Sequence, residues 1–225
     1  MTRSTPFEAI IFDHDGTLID TETADLLACQ ALYAEHGANL EQTHWAEIVV
    51  GHFGGYQIIF DELIALTGIT LTHAQLQEQL RALWRIHLND VALMPHVQTL
   101  IPSLHRAGYR LAVATASDQA WADRWLNHFA LRSFFHVVAT QDDVENNKPA
   151  PDVYLFAARQ LQVEPANCLV FEDSVMGTRA AKAAGMTVIA VPSPITKSLD
   201  FSLADGLIDD LGVVSPTWLE SLGRS

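Results

Sequence analysis

The sequence predicts a doubly wound α/β fold: a parallel sheet covered by helices, with a second block of helices inserted into it. Five short apolar runs recur along the 225 residues, each nearly continuous rather than alternating. That pattern belongs to strands buried on both faces. From about residue 94 onward, stretches of helical periodicity separate these runs, whereas residues 20 to 90 read as helix throughout. Strand alternating with helix is the signature of a parallel sheet built by crossovers.

The elements follow in order. Glu8 to Phe12 is the first run, and the others are "RLAVAT" (110 to 115), "FHVVAT" (135 to 140), "CLVFED" (168 to 173) and "TVIAV" (187 to 191). Val97, Leu100, Ile101 and Leu104 form one helical stripe, which Gly108 ends. Trp121, Trp125 and Phe129 repeat every fourth residue after Ser117 and Asp118, both good N-caps. Ser174 caps a helix whose Gly177, Ala180, Ala181 and Ala184 make a small-residue face before Gly185, so that it can lie close on a sheet. The helical block carries three stripes: Leu26, Leu27 and Tyr33 before Gly37; Ile58, Ile59, Leu63 and Leu66; and Leu76, Leu80, Leu83 and Leu88. Segments 1–19 and 92–225 are therefore expected to form the core domain, with 20–91 as a helical cap over the sheet's carboxyl edge. Open α/β sheets bind ligands at that edge.

Composition narrows the function classes. Hydrophobic residues make up 49% of the chain, enough for one core domain with an insert, and no repeat or low-complexity tract interrupts it. The formal net charge is −14, and Lys and Arg are scattered, so neither nucleic acid nor an anionic membrane is an expected partner. A small anionic substrate stays open if a metal and local donors reverse the field at the site. No segment approaches the roughly 18 apolar residues of a membrane helix. Cys29 and Cys168 read as small core residues in a reducing compartment, and no signal peptide is evident, so a cytoplasmic location is expected.

Chemistry concentrates at the ends of the apolar runs. Asp13 and Asp15 follow the first, and in an extended segment they face one side and His14 the other. Two carboxylates about 4 Å apart repel by roughly 4 kcal/mol at an effective dielectric near 20. A divalent cation removes that cost, and hard oxygen ligands favour Mg²⁺ over zinc. Solvated turn acids beside Gly16 are the plainer alternative. Glu172 and Asp173 end the fourth run, and in a parallel sheet they converge on the first pair. A helix cap is the alternative for Asp173, but taken with the first pair the metal reading is the better one. Thr115, with the N–H groups of Ala116 and Ser117, suits a phosphate oxygen or an ordinary helix start. Lys148 sits in a loop stiffened by Pro149 and Pro151, aimed at a site or simply solvated.

The segments "FDHDGTLIDTE", "VATAS", "KPAPDVY" and "FEDSVMGTRAAKAAGM" occur in the order and at the spacings of the four motifs of the haloacid dehalogenase-like superfamily. From Ile10 to about Leu211 the chain resembles its helical-cap branch of phosphatases and β-phosphoglucomutase-like proteins, which implies a Rossmann-like core. The resemblance implies that Asp13 is the nucleophile forming an aspartyl-phosphate and Asp15 the general acid and base. By the same resemblance Thr115, Ala116, Ser117, Gly16 and Lys148 hold the phosphoryl group. Mg²⁺ would rest on Asp13, the Asp15 backbone carbonyl and Asp173, with Glu172 helping. The dehalogenases of the family lack the second acid, so the Asp-x-Asp pair favours phosphoryl transfer.

The expected activity is hydrolysis of a small phosphorylated metabolite, such as a sugar phosphate, by a monomer or homodimer. A sugar phosphomutase of the β-phosphoglucomutase type is the alternative, and a non-catalytic ligand binder is a third reading, disfavoured because every motif acid and Lys148 is present. The mutases carry an arginine in the first cap loop; here "VVGHFGGYQ" has none, so His52, Tyr56 or Gln57 either touches substrate or packs the cap. His14 is a departure from the usual apolar residue between the aspartates. His96 stands after Pro95, where relatives often have glycine.

Overall fold

A computed structural model describes residues 7–50 and 55–222. Six parallel strands form one sheet: β1 (Ala9–Phe12), β2 (Arg110–Ala114), β3 (Val137–Ala139), β4 (Cys168–Glu172), β5 (Thr187–Ala190) and β6 (Gly206–Leu207). Their order is β3-β2-β1-β4-β5-β6, so the first strand lies in the middle. Register places Ile11 between Ala112 of β2 and Val170 of β4. Parallel neighbours demand crossovers. These are the helices α5 (Val97–Arg106), α6 (Gln119–His128), α7 (Asp152–Leu161) and α8 (Val175–Ala183). A short helix near the C-terminus spans Pro216–Ser221. The strand order reverses between β1 and β4, which is where an open α/β sheet offers its ligand crevice.

Each strand is short and apolar because both faces are covered. All four residues of β1 are fully buried, and Ala9 and Ile11 join a core cluster with Val153, Tyr154 and Ala157 of α7 and Ala180 and Ala181 of α8. The stripe Val97, Leu100, Ile101 and Leu104 is the buried face of α5. Asp118, not Ser117, caps α6, its side chain accepting from the Trp121 N–H at 2.7 Å. Both cysteines are buried thiols. His96, just before α5, has φ +68°, the left-handed region that favours glycine.

The chain divides into two compact units: Met1–Ile19 with Leu93–Ser193 and Asp200–Ser225, and Asp20–Ala92 with Pro194–Leu199. The second is helical, with α1 (Thr21–Glu35), α2 (Gln42–Trp45), a π-helical turn (Ala46–Val50), α3 (Gly55–Thr67) and α4 (His73–His87). Leu26, Tyr33, Ile59, Leu63, Leu76 and Leu80 meet in its core around Trp45, whereas Leu27 and Leu66, predicted to face inward, are 42% and 69% exposed. Residues 194–199, assigned to the core segment by the sequence reading, cluster with the helices instead. Ile195 and Leu199 pack into the Trp45 cluster, and Gln42 Nε2 donates to the Pro194 carbonyl at 3.1 Å.

Tyr33 is 1% exposed and its hydroxyl donates to the Ile59 carbonyl at 2.8 Å, tying α1 to α3. Tyr33→Phe is expected to cost about 1 kcal/mol, read as a fall in Tm of about 2–4 °C. Leu27→Ala on the exposed face is expected to stay within about 0.5 kcal/mol of wild type.

Candidate active site

β1 ends at Phe12, and the backbone then turns back on itself. The His14 carbonyl accepts from the N–H groups of Leu18 and Ile19, both at 3.0 Å, and the Gly16 N–H donates to the Ile19 carbonyl at 2.8 Å. Gly16 has φ +79°, and a Cβ there would stand 2.1 Å from Asp173 Oδ2. Glycine is required on both counts. The Asp13 N–H continues the ladder to the Phe171 carbonyl at 3.0 Å, so Asp13 is delivered beside the end of β4.

There the acids converge. Asp13, Glu172 and Asp173 are all buried, and each offers a carboxylate oxygen within 4.8 Å of the other two. Such an all-oxygen set is hard and fits Mg²⁺ better than a softer metal. Thr17 Oγ1 donates to Asp173 Oδ1 at 3.2 Å. Glu172 is engaged on both oxygens: Oε1 accepts from Lys148 Nζ at 2.7 Å and Tyr154 OH at 2.6 Å, and Oε2 from Ser174 N at 3.0 Å and Ser174 Oγ at 2.9 Å. Gly177 keeps α8 close, since a Cβ there would stand 1.6 Å from Glu172 Oε1.

Lys148 is buried rather than solvated. Its ammonium donates to Asp13 Oδ1, to Glu172 Oε1 and to the Ala114 carbonyl, the last at 3.0 Å, so all three N–H bonds have acceptors. Asn147 pins the loop beneath it, with Nδ2 donating to the Ala116 carbonyl at 2.9 Å and Oδ1 accepting from the Lys148 N–H at 2.9 Å. Burial alone would lower the affinity of Lys148 for its proton, but Asp13 and Glu172 outweigh it and the pKa is raised. Burial pushes the Asp13 carboxyl up to about 7; Lys148 opposes the shift, while Glu172 and Asp15 add to it. Three acids against one ammonium leave negative charge in excess, which is the electrostatic demand a cation answers.

Asp15 stands apart from this cluster. Its Oδ2 accepts from Ser117 Oγ at 2.8 Å and Thr115 Oγ1 at 3.4 Å, and its Oδ1 from Trp121 Nε1 at 2.9 Å. His14 does not face away from Asp15, as alternation along an extended strand predicts. Its fully buried ring puts Nδ1 3.1 Å from Asp15 Oδ1, because the strand ends before residue 14. Burial lowers the His14 pKa, but Asp15 outweighs it and the net shift is upward. The Ser117 N–H, expected to be open to a phosphate, donates to Thr115 Oγ1 at 3.0 Å.

Gly16, Thr115, Ala116, Ser117 and Lys148 thus gather around Asp13 and Asp15 at one edge of the sheet, while His52 lies outside the described residues. In the helical unit the Tyr56 hydroxyl donates a hydrogen bond to Asp25 Oδ2, and Gln57 is exposed. The sequence reading gave no site role to Trp121, Tyr154, Thr17 or Asn147. Trp121 was hidden in an apolar stripe. The other three stand inside or beside the quoted motifs, and that proximity is the signal that marks them.

The raised pKa of Asp13 has a sign that can be tested. Between its ordinary 3.8 and about 7 the folded state holds this proton more tightly than the unfolded chain, so stability falls as pH rises through that window. In chelator at pH 8, Asp13→Asn is expected to melt several degrees, roughly 3–8 °C, above wild type. The gap is expected to close near pH 4, and thermal unfolding at the two pH values measures it.

Comparison with known proteins matches this geometry to a family. A family model described as haloacid dehalogenase-like hydrolase aligns with residues 10–191. YhcW of Bacillus subtilis is 36% identical over 204 residues, covering 91% of this chain and 92% of that protein. The fructose-1-phosphate phosphatase YqaB of Escherichia coli is 35% identical over 187 residues, 82% of this chain and 96% of that one. The crystal structure of CbbY from Rhodobacter sphaeroides in complex with phosphate superposes with a TM-score of 0.74 at 31% identity, covering 95% of this chain and 99% of that one. A six-stranded parallel sheet with acids gathered where β1 and β4 end, and a family model spanning most of its length, make this chain a member of the haloacid dehalogenase-like hydrolases.

Proposed function

We propose that this chain is a Mg²⁺-dependent phosphatase that hydrolyses a small phosphorylated metabolite, such as a sugar phosphate, through an aspartyl-phosphate on Asp13. The observation that carries the reading is the buried Asp13 carboxylate, held by the Lys148 ammonium inside the acidic cluster with Asp15 at hand. The relative named as a fructose-1-phosphate phosphatase supports hydrolysis over the phosphomutase alternative.

Asp13 attacks phosphorus as its oxygen forms the new P–O bond. A carboxylate and a phosphate dianion repel, so the site must supply positive charge where negative charge builds up. Lys148 supplies part of it, aimed by Glu172 and the Ala114 carbonyl. A Mg²⁺ ion held by Asp13 and Asp173, with the Asp15 backbone carbonyl, would supply the rest. Because both Glu172 oxygens already accept protein hydrogen bonds, Glu172 serves the lysine first and the metal second. Gly16, Thr115, Ala116 and Ser117 line the place of the phosphoryl oxygens. Asp15 protonates the leaving oxygen, then takes a proton from the water that displaces Asp13 from phosphorus. On this reading His52 is a contact for the substrate.

Incubation with a panel of phosphorylated metabolites, with and without chelator, tests the proposal. Phosphate release that stops in chelator and returns with Mg²⁺ is expected, and Asp13→Asn should lower kcat at least about 10³-fold. Equal release from variant and wild type would defeat the enzyme reading. Rapid isomerisation of a hexose 1-phosphate with little phosphate released would establish the mutase instead.

A further inference from the structure

The donors around Asp15 are not equivalent. Thr115 and Ser117 lie in the loop after β2, and their hydroxyls can rotate to other acceptors. His14 sits beside Asp15 in the chain, and its Nδ1 contact at 3.1 Å lacks the angles of a hydrogen bond. Trp121 comes from the first turn of α6, and its indole Nε1 reaches Asp15 Oδ1 at 2.9 Å. That turn is fixed by two backbone caps: the Trp121 N–H on Asp118 Oδ1 at 2.7 Å and the Gln119 N–H on Asp142 Oδ2 at 2.9 Å. The ring itself stands edge-on to Trp125, with centroids 5.6 Å apart and planes at 80°, while the Arg124 guanidinium lies 5.9 Å over it.

We infer that Trp121 is a positioning residue for Asp15, its indole N–H fixing the direction in which that carboxyl group faces. The inference rests on the phosphatase reading, in which Asp15 moves two protons. In the first half-reaction the bond from phosphorus to the leaving oxygen breaks as the Asp15 carboxyl gives that oxygen its proton. In the second, water bonds to phosphorus, the bond to Asp13 breaks, and the Asp15 carboxylate receives the proton of the water. One group must therefore face the same small volume twice. An indole suits the task because it donates one N–H in a fixed direction and accepts nothing, so it cannot take the proton itself.

A leaving group that departs readily as an anion needs no proton, whereas a poor one does. The test is kcat/KM with Mg²⁺ across substituted phenyl phosphates, from p-nitrophenyl to p-methoxyphenyl phosphate, which reports the step in which the leaving group departs. For Trp121→Phe, p-nitrophenyl phosphate is expected to stay within about twofold of wild type while p-methoxyphenyl phosphate falls about tenfold, part of the 10²–10⁴ that proton transfer supplies. Trp125→Phe, which alters the same ring packing, should shift the whole series together or not at all. A Trp121→Phe series parallel to wild type would overturn the inference. If Trp121→Phe does not fold, Trp121→benzothienylalanine, which exchanges only the N–H for sulfur, decides by the same slope. Capture by acid quench of a hydroxylamine-sensitive phosphoenzyme on the wild type separates the two levels. With it present, an unchanged slope overturns the role of Trp121 alone. Without it, and with Asp13→Asn fully active, the phosphatase reading falls and this inference falls with it.

Discussion

Three carboxylates and one ammonium are held out of water where two central strands end, and the rest of the core domain is arranged around that fact. The parallel pairing of β1 with β4 brings Asp13 beside Glu172 and Asp173, residues about 160 positions away in sequence, and gives them no choice of distance. Burying unbalanced charge is costly, and proteins offset it with paired charges, directed hydrogen bonds or a metal. Here the first two are visible in full around Lys148 and Glu172. Negative charge remains in excess, and it is aimed at one edge of the sheet. The glycines follow from the same crowding. Gly16 lets the loop pass Asp173, and Gly177 lets α8 begin against Glu172.

Much of this was legible in the sequence, and for physical reasons. Five strands announced themselves because a strand covered on both faces must be apolar throughout, and the acid doublets stood out as the only interruption at two strand ends. The sixth strand, Gly206–Leu207, was not foreseen: two residues carry no periodicity, and Leu207 is exposed. The short α2 and the π-helical turn that follows it gave no stripe to read for the same reason. His96 was marked as an oddity beside Pro95, and its left-handed backbone gives that oddity a physical meaning.

What stayed hidden was the direction of side chains at places where regular structure stops. Alternation predicts His14 on the far side from Asp15 only while the strand lasts, and β1 ends two residues earlier. Trp121 fits a helical repeat with Trp125 and Phe129, so its period assigns it to packing. Yet a first-turn residue also projects past the helix end, and there the polar edge of the indole finds Asp15. Tyr154 shows the same duality, with its ring in the hydrophobic core and its hydroxyl on Glu172. Amphipathic aromatics escape a reading that sorts residues into apolar and polar.

The return of residues 194–199 to the helical unit has a consequence for how the molecule is made. During synthesis the segment from Asp20 to Ala92 emerges before four of the five strands that the sequence announced. Its hydrophobic cluster nonetheless includes Ile195 and Leu199, which leave the ribosome only after β5 is complete. Most of the helical unit is thus made before most of the sheet, yet its last side chains arrive only after the fifth strand. A nascent chain stalled before residue 194 holds every catalytic motif and an unfinished helical core.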